Sequence, residues 1–175
     1  MKEFIRSIPN HPKQGIMFRD ITTLLKEPKA LKKATDELVK QIKKKKLKVD
    51  KVASMEARGF IFGSIIAHAL GVGFIPLRKK GKLPAKTLSH EYTLEYGQDC
   101  IEMHEDAVKK GENVLIVDDL LATGGTAEAA CKLIEKAGAK VTGLAFLIEL
   151  SFLKGRTKLN GHEIISLVDY KDEKP

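Results

Sequence analysis

Apolar residues fall along this chain in two rhythms, and the alternation between them predicts the architecture. From Pro28 onward Leu31, Ala34, Thr35, Leu38 and Ile42 recur at helical spacing, while Lys32, Lys33 and Lys40 fall on other faces, the pattern of an amphipathic helix. Its cationic end, Lys43 to Lys46, complements the negative pole of the helix dipole. Short β-branched or apolar runs typical of strands occur at KVASM (51–55), GFIPL (73–77), NVLIV (113–117) and KVTGLAFLI (140–148). After Thr126 the helical rhythm returns through Ala127, Ala130, Cys131, Ile134 and Ala137, and Gly138 is placed to end that helix in a left-handed cap. Strand, helix and strand in alternation predict an α/β fold: a single domain over residues 1–175 with a largely parallel, twisted sheet flanked by helices.

Two segments need separate treatment. FIFGSIIAHALGVGFIPL (60–77) carries no Lys, Arg, Asp or Glu and is about as long as a short membrane span. Gly71, Gly73 and Pro76 break it, so the expectation is a buried helix ending near Leu70, a turn at Gly71 and a strand over Gly73 to Leu77, with no membrane crossing. His68 on that helix reads as a packed core histidine. KKGKLPAKTLSHEYTLEY (79–96) is long, polar and basic without a sustained period, which predicts a flexible lid loop.

Charge narrows the partner class. Lys and Arg total 31 against 23 for Asp and Glu, a net charge of +8, which invites a polyanion. With no Trp and 6% aromatics, the chain lacks the stacking platforms that would accompany a nucleic-acid surface, so a small phosphorylated substrate suits the charge and no nucleic-acid partner is expected. Cys100 and Cys131 have no CxxC spacing, and no secretion signal is read at the amino terminus. Reduced thiols in a cytoplasmic protein are the expectation.

The chemistry concentrates where NVLIV runs on into DDLLATGGT. A turn of Thr and Gly followed by a helix start offers successive backbone N–H groups to a phosphate, with the hydroxyls of Thr123 and Thr126 as further donors. Adjacent acids at the end of a buried strand are costly without a partner, and Asp118 and Asp119 can accept hydrogen bonds from sugar hydroxyls. The nucleotide-binding patterns GxxxxGK[ST] and GxGxxG are not met, and His90 and His104, each followed by Glu, do not begin HExxH. At Glu56-Ala57-Arg58-Gly59 the Arg fork suits pyrophosphate oxygens as well as a surface ion pair, and the lysines of 79–82 suit either a substrate or solvent.

VLIVDDLLATGGT resembles the phosphoribosyl pyrophosphate signature of the type I phosphoribosyltransferase family. With GIMFRDITTLL (15–25), EARGFIFG (56–63), RKKGKLP (78–84) and LEYG (94–97), the chain is similar to the adenine-using branch of that family over nearly its whole length. The resemblance implies that fold, with a small N-terminal hood over the base, and a reaction in which adenine and phosphoribosyl pyrophosphate give AMP and pyrophosphate. Mg²⁺ would act as cofactor, held mainly by substrate oxygens and water, and the protein would be a homodimer. Ala122, Thr123, Gly124, Gly125 and Thr126 would hold the 5-phosphate, and Asp118 and Asp119 the ribose hydroxyls. Arg58, Arg78, Lys79 and Lys82 would meet the pyrophosphate, with a cis peptide bond between Glu56 and Ala57. Glu95 would be the general acid/base, with Tyr96 packed close by. Phe18 would stack on adenine, with backbone contacts from Met17 and Arg19 and closure by Leu150. Relatives taking xanthine or hypoxanthine share the phosphoribosyl site, and a regulator that senses phosphoribosyl pyrophosphate is the rival from another class.

Overall fold

The sheet implied by the alternating pattern is present, with three strands that the pattern does not mark. The computed structural model describes residues 1–94 and 97–174, with the side chains at 93, 94, 97 and 98 left aside. In chain order the elements are β1 (Arg6–Pro9), β2 (Met17–Asp20), a four-residue α1 (Thr22–Leu25), α2 (Pro28–Lys44), β3 (Lys51–Met55), α3 (Arg58–Leu70) and β4 (Gly73–Lys79). There follow β5 (Thr87–Leu94), β6 (Gly97–His104), β7 (Asn113–Leu121), α4 (Gly125–Lys136), β8 (Lys140–Leu150) and β9 (Ile164–Tyr170).

β1 and β2 form a small antiparallel pair on their own, and the other seven strands form one sheet in the order β5-β6-β4-β3-β7-β8-β9. Its β4-β3-β7-β8-β9 portion is parallel throughout, as strands joined through crossover helices must be, while β5 and β6 extend one edge antiparallel. Helices cover both faces. On one, Leu38 and Ile42 of α2 and Phe62 and Ile66 of α3 join a buried cluster with Val52, Leu115 and Val117. On the other, Ala130, Leu133 and Ile134 of α4 cluster with Ala53, Ile116 and Phe146. The odd-even split of β3 and β7 residues between the clusters is the two-residue strand period at work, and burial on both faces explains why these strands read as continuous apolar runs.

The helix boundaries agree with the sequence. α2 begins at Pro28, where the missing N–H is harmless, α3 ends at Leu70 with Gly71 at φ +71°, and Gly138 beyond α4 takes φ +84°. No helix of the described residues is long and apolar enough to cross a membrane.

Four expectations are corrected. Within the polar segment 79–96, expected to be a loop, Thr87–Leu94 is instead a strand that pairs residue by residue with Gly97–His104, its local pattern overridden by the partner strand. β7 does not stop at Val117 but runs to Leu121, because Asp118, Leu120 and Leu121 find register partners in Phe146, Ile148 and Glu149. β9, an edge strand, lies in a tail with no recognised signal. His68 is exposed at the last turn of α3, where an imidazole faces water without desolvation cost.

Candidate active site

The carboxyl ends of β3, β4 and β7 converge on a cavity of about 330 Å³, the position at which open parallel sheets bind ligands. β7 delivers Asp118 and Asp119 to its wall, and the chain then turns through Ala122, Thr123 and Gly124 into α4. Gly124 has φ +82° and no side chain caps the helix, so the first N–H groups of α4 are left for a ligand.

Arg58 and Asp119 form the central pair of this cavity, Nε to Oδ2 at 2.8 Å, with Asp119 buried and Arg58 partly exposed. Asp118 Oδ1 accepts the Asp119 backbone N–H at 2.9 Å. Burial, and then the adjacent Asp119 charge, push the Asp118 carboxyl well above the usual carboxylate range. Burial raises Asp119 as well, opposed by the Arg58 guanidinium. The site thus holds two acids close together with one cation, and a ligand bringing hydroxyls or positive charge relieves the strain on them.

The peptide bond between Glu56 and Ala57 is cis, and Glu56 organises the opposite wall. Its Oε2 accepts from Arg78 Nε at 3.0 Å and Nη2 at 2.9 Å, while Oε1 accepts the Lys79 N–H at 2.8 Å. The Lys79 N–H, followed by Arg78, holds the Glu56 carboxyl below its usual range. Lys79 Nζ reaches Asp99 at 3.3 Å. Arg58, Arg78 and Lys79 all line the cavity, whereas Lys82 does not and contributes its carbonyl to Arg78 Nη1 at 3.0 Å. Glu95 and Tyr96 lie outside the described residues.

A second cavity of about 480 Å³ adjoins the first, sharing Leu120, Ala122 and Thr123 as a common wall. Met17, Phe18, Arg19 and Leu150 all line it. Arg58 lies with its guanidinium carbon 5.4 Å from the Phe18 ring centroid, bridging the two spaces. The Arg19 side chain is committed elsewhere: its guanidinium stacks 3.8 Å from the Tyr170 ring centroid and donates to Ser7 Oγ and the Lys174 carbonyl. That leaves its backbone as the part facing the second cavity.

Sequence reasoning missed Tyr92, Asp99, Phe152 and Leu153. Tyr92 and Asp99 line the first cavity from the two strands of the hairpin, in register with each other, 3.4 Å from the Tyr92 hydroxyl to Asp99 Oδ2. They become legible only once β5 is paired with β6. Phe152 and Leu153 line the second cavity from the turn after β8, and their apolar character beyond the strand end was an available signal.

Comparison with known proteins agrees with this geometry. Residues 21–163 match the model of the phosphoribosyl transferase domain. An adenine phosphoribosyltransferase of Clostridium perfringens (strain SM101 / Type A) is 56% identical over 97% of this chain and 98% of its own. This chain belongs to the adenine phosphoribosyltransferases. Within the family, the crystal structure of the Thermoanaerobacter pseudethanolicus protein superposes with a TM-score of 0.93 at 54% identity, covering 97% of each chain. That of Saccharomyces cerevisiae, complexed with adenine and an imino-altritol bisphosphate, gives a TM-score of 0.90 at 41% identity over 94% of each chain.

Proposed function

We propose that the chain transfers the 5-phosphoribosyl group of phosphoribosyl pyrophosphate to adenine, releasing pyrophosphate and forming AMP, as a purine-salvage enzyme. The observation that carries the reading is the pair of adjoining cavities: one joins an uncapped helix start to the partly buried Asp118, the buried Asp119 and a set of cations, the other is largely apolar and walled by Phe18. On this reading the turn Ala122–Thr126 takes the 5-phosphate, and Asp118 and Asp119 accept from the ribose hydroxyls. Arg58, Arg78 and Lys79 face the pyrophosphate, with Lys82 acting through its contact with Arg78.

The bond between the ribose anomeric carbon and a pyrophosphate oxygen breaks as a ring nitrogen of adenine bonds to that carbon, and the nitrogen gives up a proton. Positive charge develops on the ribose during this exchange, and the carboxylates of Asp118 and Asp119 beside it stabilise that charge. Glu95 is the proposed group that exchanges a proton with the imidazole edge of the base. Phe18 stacks on the purine, with Leu150 opposite and the Met17 and Arg19 backbone at its edge.

Asp118 and Asp119 line the cavity in which a divalent ion carried by the substrate would sit. Mg²⁺ bound on the pyrophosphate and ribose oxygens would neutralise charge on the leaving group. Two unpaired thiols, one buried at Cys131, accord with a cytoplasmic setting, and a homodimeric state rests on the family resemblance.

The test is pyrophosphate release from phosphoribosyl pyrophosphate and Mg²⁺ with adenine, hypoxanthine, guanine and xanthine in separate reactions. Turnover with adenine alone, weakened in Glu95→Gln and in the double variant Asp118→Asn/Asp119→Asn, is expected. Turnover with an oxopurine instead overturns the base pocket, and none with any base favours a regulatory, ligand-sensing protein.

A further inference from the structure

One stretch of chain after β8 touches both cavities. β8 ends at Leu150 in the wall of the base cavity, and Phe152 and Leu153 of the next short turn line the same space. Gly155 follows, buried beneath the phosphate turn. A Cβ on Gly155 would lie 2.2 Å from the Ala122 carbonyl oxygen, and one on Gly124 would lie 2.4 Å from the Gly155 carbonyl oxygen, so the two backbones are in direct contact. Lys154, between them, has φ +54°, a left-handed conformation unfavourable for a side chain of its kind. A fixed point beyond this segment would therefore act on both cavities at once.

Arg156 supplies one. Its Nε and Nη2 each reach a different oxygen of Glu149 at 2.6 Å, and Nη2 also donates to Ser166 Oγ at 3.1 Å. Ser166 in turn donates to Glu149 Oε2 at 2.7 Å, tying the fork to β9. Glu149 is buried and stands in register with Asp169, so without the guanidinium two carboxylates would face each other across the strands. The Arg156 fork holds the Glu149 carboxyl below its ordinary range. None of Arg156, Glu149 and Ser166 lines either cavity.

We propose that Arg156, gripped by Glu149 and Ser166, is a positioning residue that sets the phosphate turn and the base pocket together, giving both substrate sites one anchor outside either. The proposal rests on the assignment of the two cavities to phosphoribosyl pyrophosphate and adenine. A planar fork fixes both direction and distance, which a lysine in its place cannot do. A misplacement near 1 Å at either site is enough to slow the reaction severely.

The full-length protein and its Arg156→Gln, Arg156→Lys, Gly155→Ala and Ser166→Ala variants are compared by melting temperature and by kcat and KM for each substrate. Arg156→Gln is expected to raise the KM for both substrates together and to lower kcat/KM by about 100-fold while the protein remains folded at the assay temperature. Arg156→Lys falls between it and the wild type, since the charge returns without the fork. Gly155→Ala gives the same joint rise with the anchor intact. If Arg156→Gln does not fold, Ser166→Ala, which removes the hydrogen bonds to Arg156 and Glu149 but leaves the fork between those two in place, is expected to show a smaller joint rise. Lower melting temperatures with unchanged KM values, or movement of only one KM, overturn the anchor. A wild type inactive with every base overturns the cavity assignment and this proposal with it.

Discussion

Gly59→Ala sets two physical effects against each other. Gly59 lies in the first turn of α3, where helix propensity favours Ala over Gly by about 1 kcal/mol and forecasts a rise in melting temperature of about 2–4 °C for a chain of this size. The surroundings forecast the opposite. A Cβ there would sit 2.6 Å from Asp118 Oδ1 and 3.3 Å from the Val117 carbonyl oxygen. To reach the 3.0 Å limit below which real Cβ atoms essentially never approach a neighbour, the Asp118 carboxylate must retreat by about 0.4 Å, and Val117 backbone blocks the alternative of moving the helix sideways. Overpacking of this kind costs about 1–3 kcal/mol, which outweighs the propensity gain and leaves a net loss near 1 kcal/mol and a melting temperature about 2–4 °C lower. Because the displaced group is a proposed ribose ligand, kcat/KM for phosphoribosyl pyrophosphate should fall about 10- to 100-fold. Differential scanning calorimetry and steady-state kinetics decide the matter. A variant that melts higher than the wild type and retains full kcat/KM would refute the reasoning, since the helix start would then be free to accept a side chain beside Asp118.

Removing the Asp118 charge should weaken activity yet stabilise the free protein. Its native pKa is raised, so the folded state binds the proton more tightly than the unfolded chain, and stability falls as pH climbs from the ordinary value of 3.8 through the native one. Asp118→Asn is therefore expected to melt higher than the wild type at neutral pH, with the gap closing toward pH 4, and a lower melting temperature at pH 7 would contradict the burial argument. Asp20 runs the other way. Its carboxyl accepts the Thr22 N–H and pairs with Arg6, which lowers its pKa to about 2, so Asp20→Asn should melt lower than the wild type above pH 4, the difference disappearing as pH drops toward 2. Phe18→Ala should raise the KM for adenine about tenfold or more through loss of stacking, leaving the KM for phosphoribosyl pyrophosphate within about twofold; equal changes in both would place Phe18 in the general packing instead.

Helical spacing was enough to specify α2 and α4, an uncharged run broken at Gly71 to specify α3, and short apolar runs to specify the four central strands, since what each element buries is a local property of the chain. The turn proposed to hold the phosphate was legible as a turn for a similar reason: Ala122 to Thr126 are contiguous, and the Thr-Gly-Gly-Thr run leads directly into a helix. The sequence also suggested that Asp118 and Asp119 needed a partner, but which cation answers them is a matter of chain separation. Arg58 stands some sixty residues earlier, and only the parallel pairing of β3 with β7 brings it to 2.8 Å from Asp119. The hairpin of β5 and β6 was missed because the edge strand β5 is largely polar and β6 offers only Ile101 and Met103 as an apolar pair, so strand character there comes from the hydrogen bonds between the two. Gly155, Arg156 and Glu149 carry no local signal of a substrate-related role, for their effect depends on a turn more than twenty-five residues away packing onto them. Local sequence determined the main helices, the central strands and the Ala122–Thr126 turn; the pairing of distant strands decided which charges meet and how the two cavities share a wall.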